Sequence, residues 1–564
     1  MTHAELVFAG GPVYTADAAG RRMVRAAGPG GRPATAVAVT GGAITAIGDA
    51  GDDYFRDVTG PRTEVVDLAG RALLPGFQDA HVHPAFAGVT MIGCNLIGAQ
   101  TLDQALARIS SYVQAHPQRE WIAGAGWRME WFANGTPSRH ALDAVVGDRP
   151  AYLLNRDAHG AWASTRALQL ARIDARTPDP ADGRIEREDD CGPQGTLHEG
   201  AASLVGDLVP DPPLSERVAG LLLAQQHLHE RGVTAWQDAI VGDYLGSLDP
   251  LDAYLDAAAS GSLTARVRGA LWWDRSRGGE QLTEIMQRRE RGQAGRFRAA
   301  TVKIMQDGVP ENFTAAMIDP YLDPTGCHAE HGSGLSYVDP QALAEYVTRL
   351  DAEHFQVHLH AIGDRAVRES LDAIAAARAA HGPSANRHHI AHLQVVHPDD
   401  VPRFAALDVT ANMQALWAAH EPQMDELTIP FIGPERTARQ YVFGDLLAAG
   451  ARLAAGSDWS VSSANPLRAA HVAVNRSLQG ATGAEAEPFL PAQALTLAQA
   501  LAAYTIGSAY VNHLDDQTGS ITEGKLADLV VLDTDPFAGP ASDIGSTTVL
   551  RTFVQGETVF RRPR

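Results

Sequence analysis

From residue 216 to residue 456 the chain repeats one pattern: a stretch of helical length, a short break, then an apolar run of four to six residues. The apolar runs fall at 233–236, 266–271, 300–305, 356–360, 388–392, 409–413 and 452–456, and the first follows a helical stretch at 216–231. Strands that alternate with helices cannot be joined by tight hairpins; they pair in parallel, with the helices as crossovers. Seven such strands gain an eighth in the run 73–83, Leu-Leu-Pro-Gly-Phe-Gln-Asp-Ala-His-Val-His. Eight parallel strands with intervening helices predict a (β/α)8 barrel, whose chemistry sits at the C-terminal ends of the strands.

The two ends read differently. Short strands are expected at 6–8, 36–39, 44–47 and 64–67, with Thr40-Gly41-Gly42 as a hairpin turn, and again at 527–532 and 549–554. The expectation is therefore an α/β chain with a composite β-sandwich domain from residues 1–72 and 515–564. The barrel takes 73–514, interrupted after its first strand by an insertion over about 85–215. That insertion carries strand signals at 121–123 and 152–154 and a polar stretch, 178–195, that reads as a loop. Segments that follow barrel strands form the active face, so the insertion should cap the mouth.

Composition narrows the partners. A formal net charge of −21 argues against nucleic acid and anionic membrane, both of which favour basic surfaces. No basic, apolar leader opens the sequence and no run approaches ~18 apolar residues, so a cytoplasmic protein without a membrane partner is expected. Three scattered cysteines, Cys94, Cys191 and Cys327, argue against a disulfide framework and a Cys-rich metal site. A small-molecule substrate is the expected partner, and a homodimer is left open.

Along a strand side chains alternate faces, so Asp79, His81 and His83 share one. Two imidazoles on one strand face, just before Pro84, can reach one metal ion. Further metal-competent side chains lie on or just after other strands: Lys303 on the fourth, His360 on the fifth, His392 on the sixth and Asp458 after the eighth. They are remote in sequence, yet the predicted barrel would converge them at one mouth. Plainer readings stand beside these. His358 shares a face with His360 and reads as a supporting or core residue, His388 and His389 as structural, and Lys303 as a buried amine paired with an acid. Trp127, Trp131, Phe132, Trp162, Trp272, Trp273 and Trp417 divide between pocket wall and plain core.

Pro75-Gly76-Phe77-x-Asp79-x-His81-x-His83, Val302-Lys303-Ile304-x-x-Asp307-Gly308, His360-Ala361-Ile362-Gly363-Asp364, Ile390-Ala391-His392-x-Gln394 and Gly456-Ser457-Asp458-Trp459 together resemble the amidohydrolase superfamily. Within it they resemble the YtcJ-like amidohydrolase 3 branch, which includes N-substituted formamide deformylase, and the resemblance spans nearly the whole chain. It implies two divalent metal ions, with Zn2+ expected. His81, His83 and Asp458 would hold one ion, His360 and His392 the other, and Lys303, carboxylated on its amine, would bridge them. An unmodified ammonium has only donors and could not ligate. Burial would lower the amine from about 10.4 and leave it free to react with carbon dioxide.

The implied activity is hydrolysis of an amide-type C–N bond, in an N-substituted formamide or related N-acyl compound, by metal-activated hydroxide with Asp458 as proton shuttle. His159 matches a substrate-side position of the family, and Trp127 is nominated with it. A lactone, ester or phosphotriester hydrolase on the same site is the alternative, and a non-catalytic barrel scaffold the remote one. One departure bears on substrate identity: where the family often has Asn, this chain has Ser164, ahead of Thr165-Arg166-Ala167-Leu168.

Overall fold

Eight parallel strands form the centre of the computed structural model, which describes residues 3–323 and 332–563. Cys327 lies outside the described residues. In chain order the strands are β1 (Phe77–Val82), β2 (Val233–Val241), β3 (Arg266–Trp272), β4 (Phe297–Met305), β5 (Gln356–Ala361), β6 (His389–His392), β7 (Thr410–Met413) and β8 (Arg452–Ala455). Each pairs in parallel with the next. The seam between β8 and β1 closes beyond the strand ends, where Asp458 N donates to His81 O (2.8 Å) and His83 N donates to Trp459 O (2.8 Å). The arrangement is a (β/α)8 barrel, and small sheets are added to it.

Strand β4 shows how the sequence specifies the layers. Val302 and Ile304 belong to the apolar core that also holds Leu343 and Val347 of the helix Pro340–Ala352. Thr301, Lys303 and Met305 alternate with them and face the barrel interior, as the period of two requires. The helix starts where it should: Asp339 accepts from Gln341 N (3.0 Å) and Ala342 N (3.1 Å), and Pro340 follows at the first helical position. Its buried Leu343, Val347 and Leu350 recur at spacings of four and three, the apolar stripe of a helix lying on a sheet.

Strands from the two ends of the chain face each other. One four-stranded sheet runs Ala43–Gly48, Ala36–Thr40, Leu6–Ala9, Glu64–Asp67; the other runs Glu557–Arg561, Val549–Val554, Leu529–Leu532, Leu73–Pro75. Leu6, Phe8, Val37 and Val39 pack on Leu529, Val531 and Phe553, with the Phe8 and Phe553 rings 5.0 Å apart and edge-on. Because Leu73–Pro75 pairs with Leu529–Val531, the chain leaves this sheet only at Gly76. Arg266 of β3 ties the barrel to it through a two-pronged, buried ion pair with Asp528 (3.0 and 3.2 Å).

Between β1 and β2 lies a six-stranded sheet with its own apolar core. Here the polar stretch 178–195 differs from its reading as a loop: Gly183–Arg187 and Pro193–Glu199 form an antiparallel pair. Only Ile185 of the first strand is buried, while Arg184 and Glu186 pair with each other and Glu186 meets His198 (3.0 Å). A strand with one buried side chain carries too little apolar signal to be seen as one. The insertion docks through helices Pro84–Ile92 and Leu214–His229, which approach so closely that a Cβ on Gly88 would sit 2.0 Å from Gly220 O. Among the described residues no single helix is long and apolar enough to cross a membrane.

Candidate active site

The C-terminal ends of β1, β4, β5, β6 and β8 bring His81, His83, Lys303, His360, His392 and Asp458 to the wall of one cavity of about 200 Å3. Asp458 Oδ1 lies 3.2 Å from His81 Nε2 and 3.0 Å from His83 Nε2, and its Oδ2 is 4.0 Å from His392 Nδ1. Ligand atoms of His81, His392 and Asp458 all fall within 4.8 Å of one another. The ring of His392 is 4.7 Å from that of His81 and 4.4 Å from that of His360. Four buried nitrogens have no hydrogen-bond partner among the described residues: Lys303 Nζ, His360 Nε2 and both ring nitrogens of His392. Leaving a buried polar atom unpaired costs about 1–3 kcal/mol, so four at one mouth mark a place built to bind something. Imidazole and carboxylate are the donors zinc takes, and two tetrahedral zinc ligands lie about 3.4 Å apart. The donor set fits a metal.

Electrostatics favour the ligating forms. Burial, followed by the nearby Lys303, pushes His81 down to about 3. Burial likewise drives His360 and His392 well below the usual histidine value, so these rings are neutral with lone pairs available. Burial also lowers Lys303 to about 7, against the pull of Asp458 and Asp307. For Asp458, burial favours the neutral acid, but His81 and His83 outweigh it and hold the carboxyl well below its ordinary range. His392 (φ 76°) and Asp458 (φ 53°) both have left-handed backbones, a conformation that non-glycine residues hold only where their surroundings enforce it.

Two supporting carboxylates were not among the residues nominated from the sequence. Asp307 accepts from Ala316 N (3.0 Å), Ile362 N (3.0 Å) and Gly363 N (2.8 Å) and lies 3.1 Å from His360 Nδ1. It orients that ring so that Nε2 faces the site. The signal was present, since Asp307 lies inside the motif that begins at Val302. Glu199 had no such signal: it ends the strand Pro193–Glu199, just past the stretch read as a polar loop, yet it is fully buried with φ 51° and ψ −129°. It meets His159 Nδ1 (3.0 and 3.1 Å) and accepts from Thr314 Oγ1 (2.9 Å). Burial alone would lower His159, but the Glu199 charge outweighs it and raises the ring to about 9. The His159 ring lines the cavity 5.6 Å from that of His360.

Trp127 is a correction. It does not line the cavity; it is fully buried in the insertion's own core, beside Phe132 and Trp162, and its indole N–H donates to Leu153 O (2.8 Å). The neighbouring Gly126 has φ 110°, and the strand Ile122–Trp127 turns this side chain away from the barrel. Phe86, Val89, Leu154, Ile240 and Trp272 supply apolar wall instead. Ser164 is spent structurally: buried, it caps the helix Thr165–Leu170 and accepts from Ala151 N (2.9 Å). Among the described residues no acid pairs with Lys303, which speaks against the plain ion-pair reading.

Known proteins share this architecture. The family model described as the amidohydrolase family matches residues 64–560. The protein LONG AFTER FAR-RED 3 of Arabidopsis thaliana is 30% identical over 540 residues, covering 93% of this chain and 88% of its own. N-substituted formamide deformylase of Arthrobacter pascens is 26% identical over 537 residues, covering 94% and 95%. Among solved structures, that of an uncharacterized metal-dependent hydrolase from Pyrococcus horikoshii OT3 superposes with a TM-score of 0.70 at 23% identity, covering 95% of this chain and 99% of that one, and shares the fold. With a family match across most of its length, this chain belongs to the amidohydrolase family.

Proposed function

We propose that the protein is a metal-dependent hydrolase of an amide-type C–N bond, acting on N-substituted formamides or related N-acyl compounds. Its cofactor is two divalent ions, Zn2+ by the chemistry of the donors. The observation that carries the reading is the group of unpartnered buried nitrogens on Lys303, His360 and His392 beside the His81–His83–Asp458 cluster. The likeness to the Arthrobacter pascens deformylase supports the bond class.

When bound, the ions would lower the pKa of water to about 7 and polarise the scissile carbonyl. His81, His83 and Asp458 would hold one ion, His360 and His392 the other, and Lys303 would offer two oxygens between them as a carbamate. Asp458 takes the proton of the attacking water and returns it to the leaving nitrogen, a transfer that typically contributes about 10²–10⁴-fold. His159, kept cationic by Glu199, turns its other ring nitrogen toward the cavity as a donor for the substrate's carbonyl oxygen. The apolar wall excludes bulk water, which strengthens each of these polar contacts.

An amine is a poor leaving group and needs the returned proton, whereas an activated ester does not. The test is a panel of N-formyl, N-acyl, carbamate and lactone compounds on metal-loaded protein, run with wild type and Asp458→Asn. Amide turnover that Asp458→Asn reduces far more than ester turnover supports the proposal. Turnover confined to lactones, esters or phosphotriesters would replace the bond class, and metal-loaded protein without activity on any panel would favour a scaffold.

A further inference from the structure

The inside of the barrel below the site is polar, and its hydrogen bonds leave only one arrangement of protons. At the bottom, Gln356 Nε2 lies 2.8 Å from Arg387 O and 2.8 Å from Val511 O. Only an amide nitrogen can face two carbonyls, so the orientation of this side chain is settled. Its oxygen then accepts from Thr301 Oγ1 (2.7 Å) and from Gln237 Nε2 (2.9 Å). That contact settles Gln237, whose oxygen must point to His358 Nδ1 (2.7 Å) and His389 Nε2 (3.1 Å). Both of those nitrogens therefore carry hydrogen. His358 Nε2 is left as an acceptor, and it lies 2.8 Å from His81 Nδ1. His81 thus carries hydrogen on Nδ1, and its Nε2, the atom 3.2 Å from Asp458, is the nitrogen the network leaves to the active site.

A second route reaches the same arrangement. Asn412 Nδ2 donates to Ala80 O (2.9 Å) and faces His389 Nδ1 (3.2 Å), which makes that nitrogen the acceptor and puts the His389 hydrogen on Nε2, toward Gln237. Gln237, His358, His389 and Asn412 are all fully buried, so a wrong choice would leave polar atoms unpaired inside the barrel. Reversing the Gln237 amide would set two oxygens 2.9 Å apart with no hydrogen between them.

We infer that Gln356, Gln237 and His358 are positioning residues that keep hydrogen on His81 Nδ1 and so reserve its Nε2 for the active site. Which ring nitrogen is bare is set by the bond the other nitrogen makes, and partners of that kind govern metal affinity by about 10–100-fold. The instruction originates at backbone carbonyls on the opposite end of the barrel, one of them in the helix Ser508–Val511. The tautomer is independent of the bond hydrolysed; only the affinity arm below rests on the metal-site reading.

The test uses full-length, metal-free protein labelled with ¹⁵N-histidine, in which two-bond ¹H–¹⁵N correlation spectra report the protonated nitrogen of each ring. The His81 signals are identified by their loss in His81→Ala. Wild type should show His81 protonated on Nδ1. His358→Gln, which keeps an acceptor at the same reach, should retain that tautomer and hold zinc within a few-fold of wild type in chelator competition. His358→Leu should mix the tautomers and weaken zinc 10–100-fold. Wild-type His81 without hydrogen on Nδ1 would overturn the inference without any variant, and so would unchanged Nδ1 protonation in folded His358→Leu. Correct tautomers in a protein that hydrolyses no amide would leave this inference standing and remove the proposed bond class.

Discussion

Glu199→Gln isolates one charge at the site without changing side-chain volume. The carboxylate is fully buried and 3.0 Å from His159 Nδ1, and it raises that ring from 6.5 to about 9. A rise of that size corresponds to about 3 kcal/mol of preference for the charged ring. Direct attraction at this distance is about 5 kcal/mol at an effective dielectric constant near 20, and desolvation of both groups removes part of it. Glutamine keeps an oxygen to accept from Nδ1–H but not the charge, so in the variant His159 should be neutral at pH 7. Its cavity-facing nitrogen then changes from donor to acceptor. We expect kcat/KM on the best amide substrate to fall about 10–100-fold at pH 7, equivalent to roughly 1.4–3 kcal/mol, with bound metal unchanged.

Stability supplies a second readout with a definite sign. The raised His159 contributes stability that is fully present below 6.5 and lost as pH rises toward about 9. Glu199, lowered from 4.5 to about 2, contributes above 4.5 and loses that contribution as pH falls. The difference in thermal midpoint between wild type and Glu199→Gln should therefore be widest between pH 4.5 and 6.5, a few degrees, and should narrow toward pH 9. Metal content, kcat and KM from pH 6 to 10, and midpoints measured from pH 4 to 10 check this. Identical pH profiles in the two proteins, or a gap that widens above pH 7, would refute the reasoning.

Other outcomes follow from the same geometry. His81→Ala and His83→Ala should each lower bound metal and abolish turnover while circular dichroism stays native, because the barrel core does not depend on one mouth histidine. Lys303→Ala should lose activity and regain part of it with short-chain carboxylic acids, which stand in for a carbamate; no rescue at any acid concentration counts against the bridge. Trp127→Ala should cost about 3–5 kcal/mol of stability by core truncation, seen as a lower unfolding midpoint in thermal melts, while KM in steady-state kinetics barely moves. Gly456→Ala places a Cβ 2.6 Å from His81 Cβ and 2.8 Å from His81 N, so it should pry the β8–β1 seam apart and cost metal affinity, read by chelator competition.

Much of this protein is legible without coordinates, for physical reasons that differ by element. The strand–helix alternation specifies the barrel because burial on both faces makes each parallel strand a dense apolar run. His81, His83, Lys303, His360, His392 and Asp458 stand out because polar side chains at the ends of such runs are costly unless used. What the alternation cannot carry is direction and partnership. Trp127 reads equally well as pocket or core, and only the turn at Gly126 sends it inward to Phe132 and Trp162. The strand Gly183–Arg187 hides because its one buried residue, Ile185, leaves a polar sequence. Glu199 becomes meaningful only when a hairpin from the insertion brings it to His159, forty residues away. The tautomer of His81 depends on carbonyls of Arg387 and Val511, reached through Gln356, Gln237 and His358. Local sequence encodes which side chains are apolar and at what period; hydrogen bonds between groups hundreds of residues apart exist only once the barrel has closed around them.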